Sequence, residues 1–154
     1  MLRVFSLLLI ACCVCPARVP PDVQDPISVV RELFDAMAAH DAERAAALFI
    51  QQAMLFNVKP DGTPTVMPYS DWVKHFAASK DSWLERIWNP KLLERGTVAA
   101  VWTEYGFYLN GKLRHCGIDS FNLLKTSHGW RIAAISDTRE TSGCVAHPPG
   151  SDSN

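Results

Sequence analysis

The sequence predicts an α+β fold: N-terminal helices packed in the concavity of a strongly curved antiparallel sheet, a cone-shaped α+β barrel. Three observations carry this expectation. Apolar residues recur at helical spacing until about residue 80, then give way to long stretches rich in β-branched and aromatic residues. Asn110-Gly111 interrupts those stretches with the residue pair that most strongly marks a two-residue hairpin. The chain of 154 residues is 48% hydrophobic and 20% charged, enough for one packed core. That composition excludes a disordered chain, a collagen-like fibre and a coiled coil.

The elements follow in order. Asp25-Pro26 starts a helix, with Asp as cap and Pro in the first turn, where its missing N–H costs nothing. Ile27, Val30, Phe34, Met37 and Ala38 continue it on one face, to an end near His40. Asp41 caps a second helix through Ala45, Ala46, Leu48 and Phe49. Ala53 to Val58 reads as a short strand, and the proline-rich stretch from Lys59 to Pro68 as a loop. Ser70 caps a third helix carrying Trp72, Val73 and Phe76. Four strands follow: Trp83 to Glu94 with Pro90 at a bulge or edge, Thr97 to Leu109, Leu113 to Lys125, and Trp130 to Ser136.

The chain divides into a leader with linker (1–25), one folded domain (26–144) and a disordered tail (145–154). Arg3 followed by the apolar run Val4 to Val14 matches a secretory signal and is too short to span a bilayer as a helix. Cys15-Pro16-Ala17 offers small residues for ordinary cleavage. Leu9-Ile10-Ala11-Cys12 offers a lipobox, with Cys12 the lipidation candidate. A buried first helix or strand is the alternative. The expected location is periplasmic or secreted, with membrane attachment only through a lipid on Cys12. Cys12, Cys13 and Cys15 lie in the leader, which leaves Cys116 and Cys144. In an oxidising compartment those two read as one disulfide; otherwise they are two free thiols.

Lys+Arg is 15 and Asp+Glu 16, a formal net charge of −1, so no basic excess exists to bind nucleic acid by bulk charge. The histidines at 40, 75, 115, 128 and 147 fall at no metal-ligand spacing, and the body has no Cys-x-x-Cys. Neither metal nor cofactor is expected, and no nucleophile, phosphate-loop or dinucleotide motif occurs.

Four segments carry a resemblance: residues 41–49 (DAERAAALF), 101–107 (VWTEYGF), 115–121 (HCGIDSF) and 129–132 (GWRI). The order of elements together with this wording resembles the nuclear transport factor 2-like superfamily, whose members include SnoaL-like cyclases, ketosteroid isomerases and scytalone dehydratases. The resemblance spans about residues 27 to 144 and looks most like exported bacterial members with an HCG-x-D-x-F strand and a late Cys. It implies a cone fold and often a homodimer through the outer face of the sheet. No catalytic set of the superfamily's enzymes transfers whole.

Threading straight hairpins from Asn110-Gly111 and Arg95-Gly96 puts Gly106 opposite His115, Glu104 opposite Gly117 and Asn89 opposite Trp102. One face then carries Ile87, Asn89, Trp102, Glu104, His115, Asp119, Phe121 and Leu123. The other carries Trp88, Tyr105, Phe107, Cys116 and Ile118. The first face is a candidate site for a small hydrophobic organic molecule, with Ile87, Asn89, Trp102 and Phe121 from the sheet and Phe34 and Met37 from the first helix. His115, Asp119 and Glu104 are the candidate acid–base groups, a carboxylate beside imidazole raising its pKa. The bland alternative is a His–Asp pair that only holds strands in register. Asp137 and Arg139 either reach the pocket mouth or pair with each other in solvent. The function expected is an exported small-molecule-binding or accessory domain. The alternatives are a cofactor-free lyase or isomerase using the His/Asp pair, and a dimeric interaction domain without a ligand.

Overall fold

A computed structural model describes residues 25–59 and 61–145. The leader, with the cleavage and lipidation sites including Cys12, and the tail beyond Val145 lie outside the described residues.

Helix α1 (Pro26–Ala38) starts as the sequence predicts, with the Asp25 carboxylate accepting from the Ser28 amide at 3.0 Å. Its buried residues Val29, Val30, Leu33, Phe34 and Met37 form one face. Asp41 caps α2 (Ala42–Ala46), which is shorter than expected because Phe49 already begins strand β1 (Phe49–Val58). The proline-rich stretch is not only a loop. Pro64–Pro68 forms β2, paired antiparallel to β1. Its prolines are tolerated because β2 is an edge strand and prolines stand only at its two ends. Helix α3 (Tyr69–Ala78) has Pro68 at its N-cap and no side-chain cap, so Ser70 does not play that part.

Strands β3 (Trp83–Arg95), β4 (Val98–Leu109), β5 (Lys112–Thr126) and β6 (Gly129–Asp137) follow as a meander. Asn110 and Gly111 both take positive φ, 52° and 74°, as a two-residue turn of this kind requires. The six strands form one sheet in the order β2-β1-β6-β5-β4-β3. One pairing departs from the antiparallel expectation: β1 runs parallel to β6, so the sheet is mixed, and it stays open. The helices fill its concave side. Phe34 of α1 meets Phe121 of β5 edge-on, ring centres 5.9 Å apart, and Val101, Leu123 and Ile132 are fully buried around them. Each such side chain contributes on the order of 1.5–3 kcal/mol by leaving water.

Two bulges decide which side chains face that concavity. Between β4 and β5 the register slips: Tyr108 pairs with Leu113 but Phe107 pairs with His115, leaving Arg114 as the extra residue. Between β3 and β4 it slips again, Trp88 pairing with Glu104 and Lys91 with Trp102, with Asn89 in the bulge at φ 51°. Each slip of one residue turns a strand's faces over.

Candidate functional site

The first bulge corrects the threading. Tyr105, opposite Gly117, and Phe107, opposite His115, turn inward with Asp119 and Phe121. Glu104 and Trp102 turn outward. Trp102 is 51% exposed, and Glu104 accepts from Trp88 Nε1 at 2.5 Å and from Asn89 Nδ2 at 3.2 Å. Glu104, Trp102 and Asn89 therefore do not share a cavity with His115 and Asp119. Glu104 instead lines a separate groove of about 460 Å³ with Trp88, Ile118 and Glu140. Met37 and Ile87 pack in the core, while Phe34 and Phe121 reach the cavity.

That cavity, about 70 Å³, opens at the mouth of the cone. One wall is apolar: Phe34 from α1, Leu55 from β1, Trp72 from α3, Phe121 and Ile135. The other is ionisable: Glu85 from β3, Tyr105 from β4, His115 and Asp119 from β5, Asp137 and Arg139 at and beyond the end of β6. Asp137 and Arg139 thus belong to the pocket mouth. Glu85 is the residue sequence reasoning passed over; counting inward from Trp83 by twos would have reached it.

The electrostatics follow from burial. Asp119 is 4% exposed, and its carboxyl is held well above the usual range by burial and by Glu85, with which it shares a hydrogen bond. Its Oδ2 is sealed from solvent with no hydrogen-bond partner. Burial lifts Glu85 to about 7, against the hydrogen bond from Asp119. Asp137 is raised by burial, Arg139 and the Asn57 side chain opposing. Tyr105 is held firmly as the neutral phenol by burial and by the carboxylates around it.

His115 does not pair with a carboxylate. Its partner is Tyr105, whose hydroxyl lies 3.1 Å from Nδ1, and its ring stacks on Phe107 at 4.8 Å. Burial, with Arg139 and Arg114 assisting, lowers its pKa to about 4, the opposite of the expected rise. The hydrogen bonds also fix its tautomer. The Tyr105 hydroxyl donates its one proton to the Thr138 carbonyl at 2.7 Å, since that oxygen only accepts. His115 Nδ1 must therefore donate to the phenol oxygen, and Nε2 is left as an acceptor. For the same reason Tyr105 has no proton to offer an oxyanion.

The segment after β6 completes the site. The Cys116 and Glu140 backbones exchange two hydrogen bonds, and a disulfide joins Cys116 to Cys144 with Cα atoms 5.7 Å apart. Thr138 lies over Gly117, where a Cβ would come within 2.4 Å of the Thr138 carbonyl oxygen. Among the described residues, no three His, Cys, Asp or Glu side chains converge as metal ligands.

Solved structures share this architecture. A protein of unknown function from Shewanella baltica OS155, described as nuclear transport factor 2-like, is 19% identical, covers 75% of this chain and 91% of that one, and superposes with a TM-score of 0.57. The chain has the nuclear transport factor 2-like fold. A protein of that description from Cytophaga hutchinsonii ATCC 33406 is 13% identical (74% of this chain, 94% of that one, TM-score 0.63). The association domain of C. elegans CaMKII is 17% identical (73% and 91%, TM-score 0.60). No family model matches the sequence, and a comparison with curated proteins finds no match.

Proposed function

We propose that this nuclear transport factor 2-like chain is an exported small-molecule-binding domain, its ligand seated in the mouth of the cone. One observation carries the reading: a single cavity joins an apolar wall to an ionisable one. The cavity is below the usual 300–1,000 Å³ of drug-sized sites, so the ligand is small or only partly enclosed. The disulfide supports export, because such bonds persist in oxidising compartments. Native mass spectrometry of protein purified from its own compartment tests the reading. A retained small molecule should be present, and should be lost when Leu55→Trp fills the cavity. Retention unchanged by Leu55→Trp would overturn it.

A second reading is cofactor-free proton-transfer chemistry of the lyase or isomerase type. Glu85, lifted to about 7 beside Asp119, whose carboxyl burial also raises, favours it: the pair can accept and return a proton at pH 7. Glu85 then takes the part the sequence assigned to Glu104, and neutral His115 serves as acceptor rather than acid. Deuterium from solvent should enter the retained ligand with the native protein and not with Glu85→Gln. Equal incorporation by both would end this reading.

A homodimer through the outer sheet face is the third element. The bulges put Trp102 outside, where Leu93, Val98 and Leu124 are also exposed. Of the second threaded face, Trp88 stays outside with Glu104, while Tyr105 and Phe107 are buried inside. The likeness to an association domain fits assembly of this fold.

A further inference from the structure

The cavity's hydrogen-bonding capacity is one-sided. Tyr105 has spent its proton on Thr138 and His115 Nδ1 donates to Tyr105, so His115 Nε2 remains an acceptor. Glu85, Asp119 and Asp137 add six carboxyl oxygens, of which Asp119 Oδ2 is buried and unpartnered. Against three carboxyls stands one fixed cation, Arg139. The opposite wall brings two aromatic rings, Phe34 and Trp72, apolar surface for a short tail. A cavity of about 70 Å³, on the order of two waters' share of liquid volume, admits a compact head and little more.

Resting on the binding reading above, we propose that the cavity takes a small primary ammonium ion, its head beside the Glu85–Asp119 pair with the Asp137 charge nearby, and a short hydrocarbon tail against Leu55 and Trp72. An ammonium supplies three donors and a positive charge from one atom, which suits a small space lined mainly by acceptors. An alcohol supplies one donor and leaves the charge uncompensated. An anion meets the same carboxyls as repulsion.

Without a ligand, protons stand in for the missing cation. Glu85, lifted by burial to about 7, and Asp119, also raised by burial, hold them. Every charged group facing the head enters the balance: Glu85 from β3, Asp119 from β5, Asp137 and Arg139 at the end of β6. Tyr105 and His115 are neutral there, β1 contributes the Asn57 amide to Asp137, and the helices contribute only Phe34 and Trp72. An arriving cation favours the ionised carboxylates and expels a proton. Its affinity rises with pH up to the Glu85 pKa and levels off above it.

Nuclear magnetic resonance titration of the purified protein with n-propylammonium, 1-propanol and propionate tests this. Propylammonium should shift the Trp72 indole and Asp119 amide signals saturably, several-fold more tightly at pH 8 than at pH 6. Glu85→Gln, at the cavity mouth, should weaken it about tenfold, and Asp119→Asn, where folded, should weaken it at least as much. Saturation by propanol or propionate without propylammonium would overturn the ammonium assignment and leave the binding reading standing. No saturation by any of the three would overturn both. Propylammonium binding indifferent to pH and to Glu85→Gln would also overturn the assignment.

Discussion

The Tyr105 hydroxyl, on β4, donates to the Thr138 carbonyl, just past the end of β6, at 2.7 Å although a whole strand, β5, lies between β4 and β6. Gly117 makes the reach possible. It pairs with Tyr105 and lies directly under Thr138, where any side chain would stand in the way.

Gly117→Ala should therefore act on the site and on stability together. The new Cβ would lie 2.4 Å from the Thr138 oxygen and 3.0 Å from its carbonyl carbon, both backbone atoms that yield only if the segment moves. Overpacking of this kind costs typically about 1–3 kcal/mol. Thermal unfolding should show a loss of roughly 3–6 °C per kcal/mol. The His115 ring, deprived of a fixed phenol partner, should change its Nδ1–H resonance. An unchanged melting temperature would show that Thr138 does not press on Gly117.

Glu85 gives stability a signed pH dependence. Its folded pKa is about 7 against 4.5 for the ordinary group. The folded state holds the proton that the unfolded chain releases, so this contribution is full below pH 4.5 and is lost as pH rises through about 7. Glu85→Gln removes the slope. At about 1.4 kcal/mol per unit, discounted for the solvent at the cavity mouth, the variant should gain about 2 kcal/mol on the native protein between pH 5 and pH 8. Melting temperatures of both proteins across that range measure it. A constant difference would mean that Glu85 titrates normally.

How far the site was legible turns on two residues that no periodicity marks. On β5, simple alternation places His115, Asp119 and Phe121 on one face, and they share it in the structure. On β4 the same counting fails, because Arg114, three positions past Gly111 of the turn, is the extra residue of a bulge. That single slip exchanged Tyr105 and Thr103 for Glu104 and Trp102. Pro90 announced the second bulge, but its direction depended on Asn89 taking a positive φ. The parallel β1–β6 pair was illegible for another reason. It joins residues about eighty apart, and local patterning says nothing of such a pairing. The helix starts at Asp25 and Asp41 were readable because capping is a local hydrogen bond.

The disulfide closes a loop of 28 residues, and the chain-entropy account gives on the order of 3 kcal/mol for a loop of that size. Its placement adds a local effect. Cys144 anchors the segment that carries Thr138 and Arg139 to the cavity. Cys144→Ser, or reduction of the native protein, should lower the melting temperature by roughly 10 °C or more. Amides 138–144 should lose hydrogen-exchange protection before those of β4 and β5. Uniform loss across the sheet would show that the bond restrains only the unfolded chain.

The outer face gives the last prediction. Trp102 stands 51% exposed between Leu93, 76% exposed, and the Trp88–Glu104 pair, on the side of the sheet away from the helices. A large aromatic in such a patch is the usual anchor of an interface. Trp102→Lys adds a charge there without touching the cavity, from which the β4 bulge has turned the side chain away. Sedimentation or native mass spectrometry should find the native protein dimeric and the variant monomeric at the same concentration, with the variant's folding and its cavity titration intact. A monomeric native protein, or a dimer indifferent to Trp102→Lys, would remove the outer face from the account of assembly and leave the cavity argument untouched.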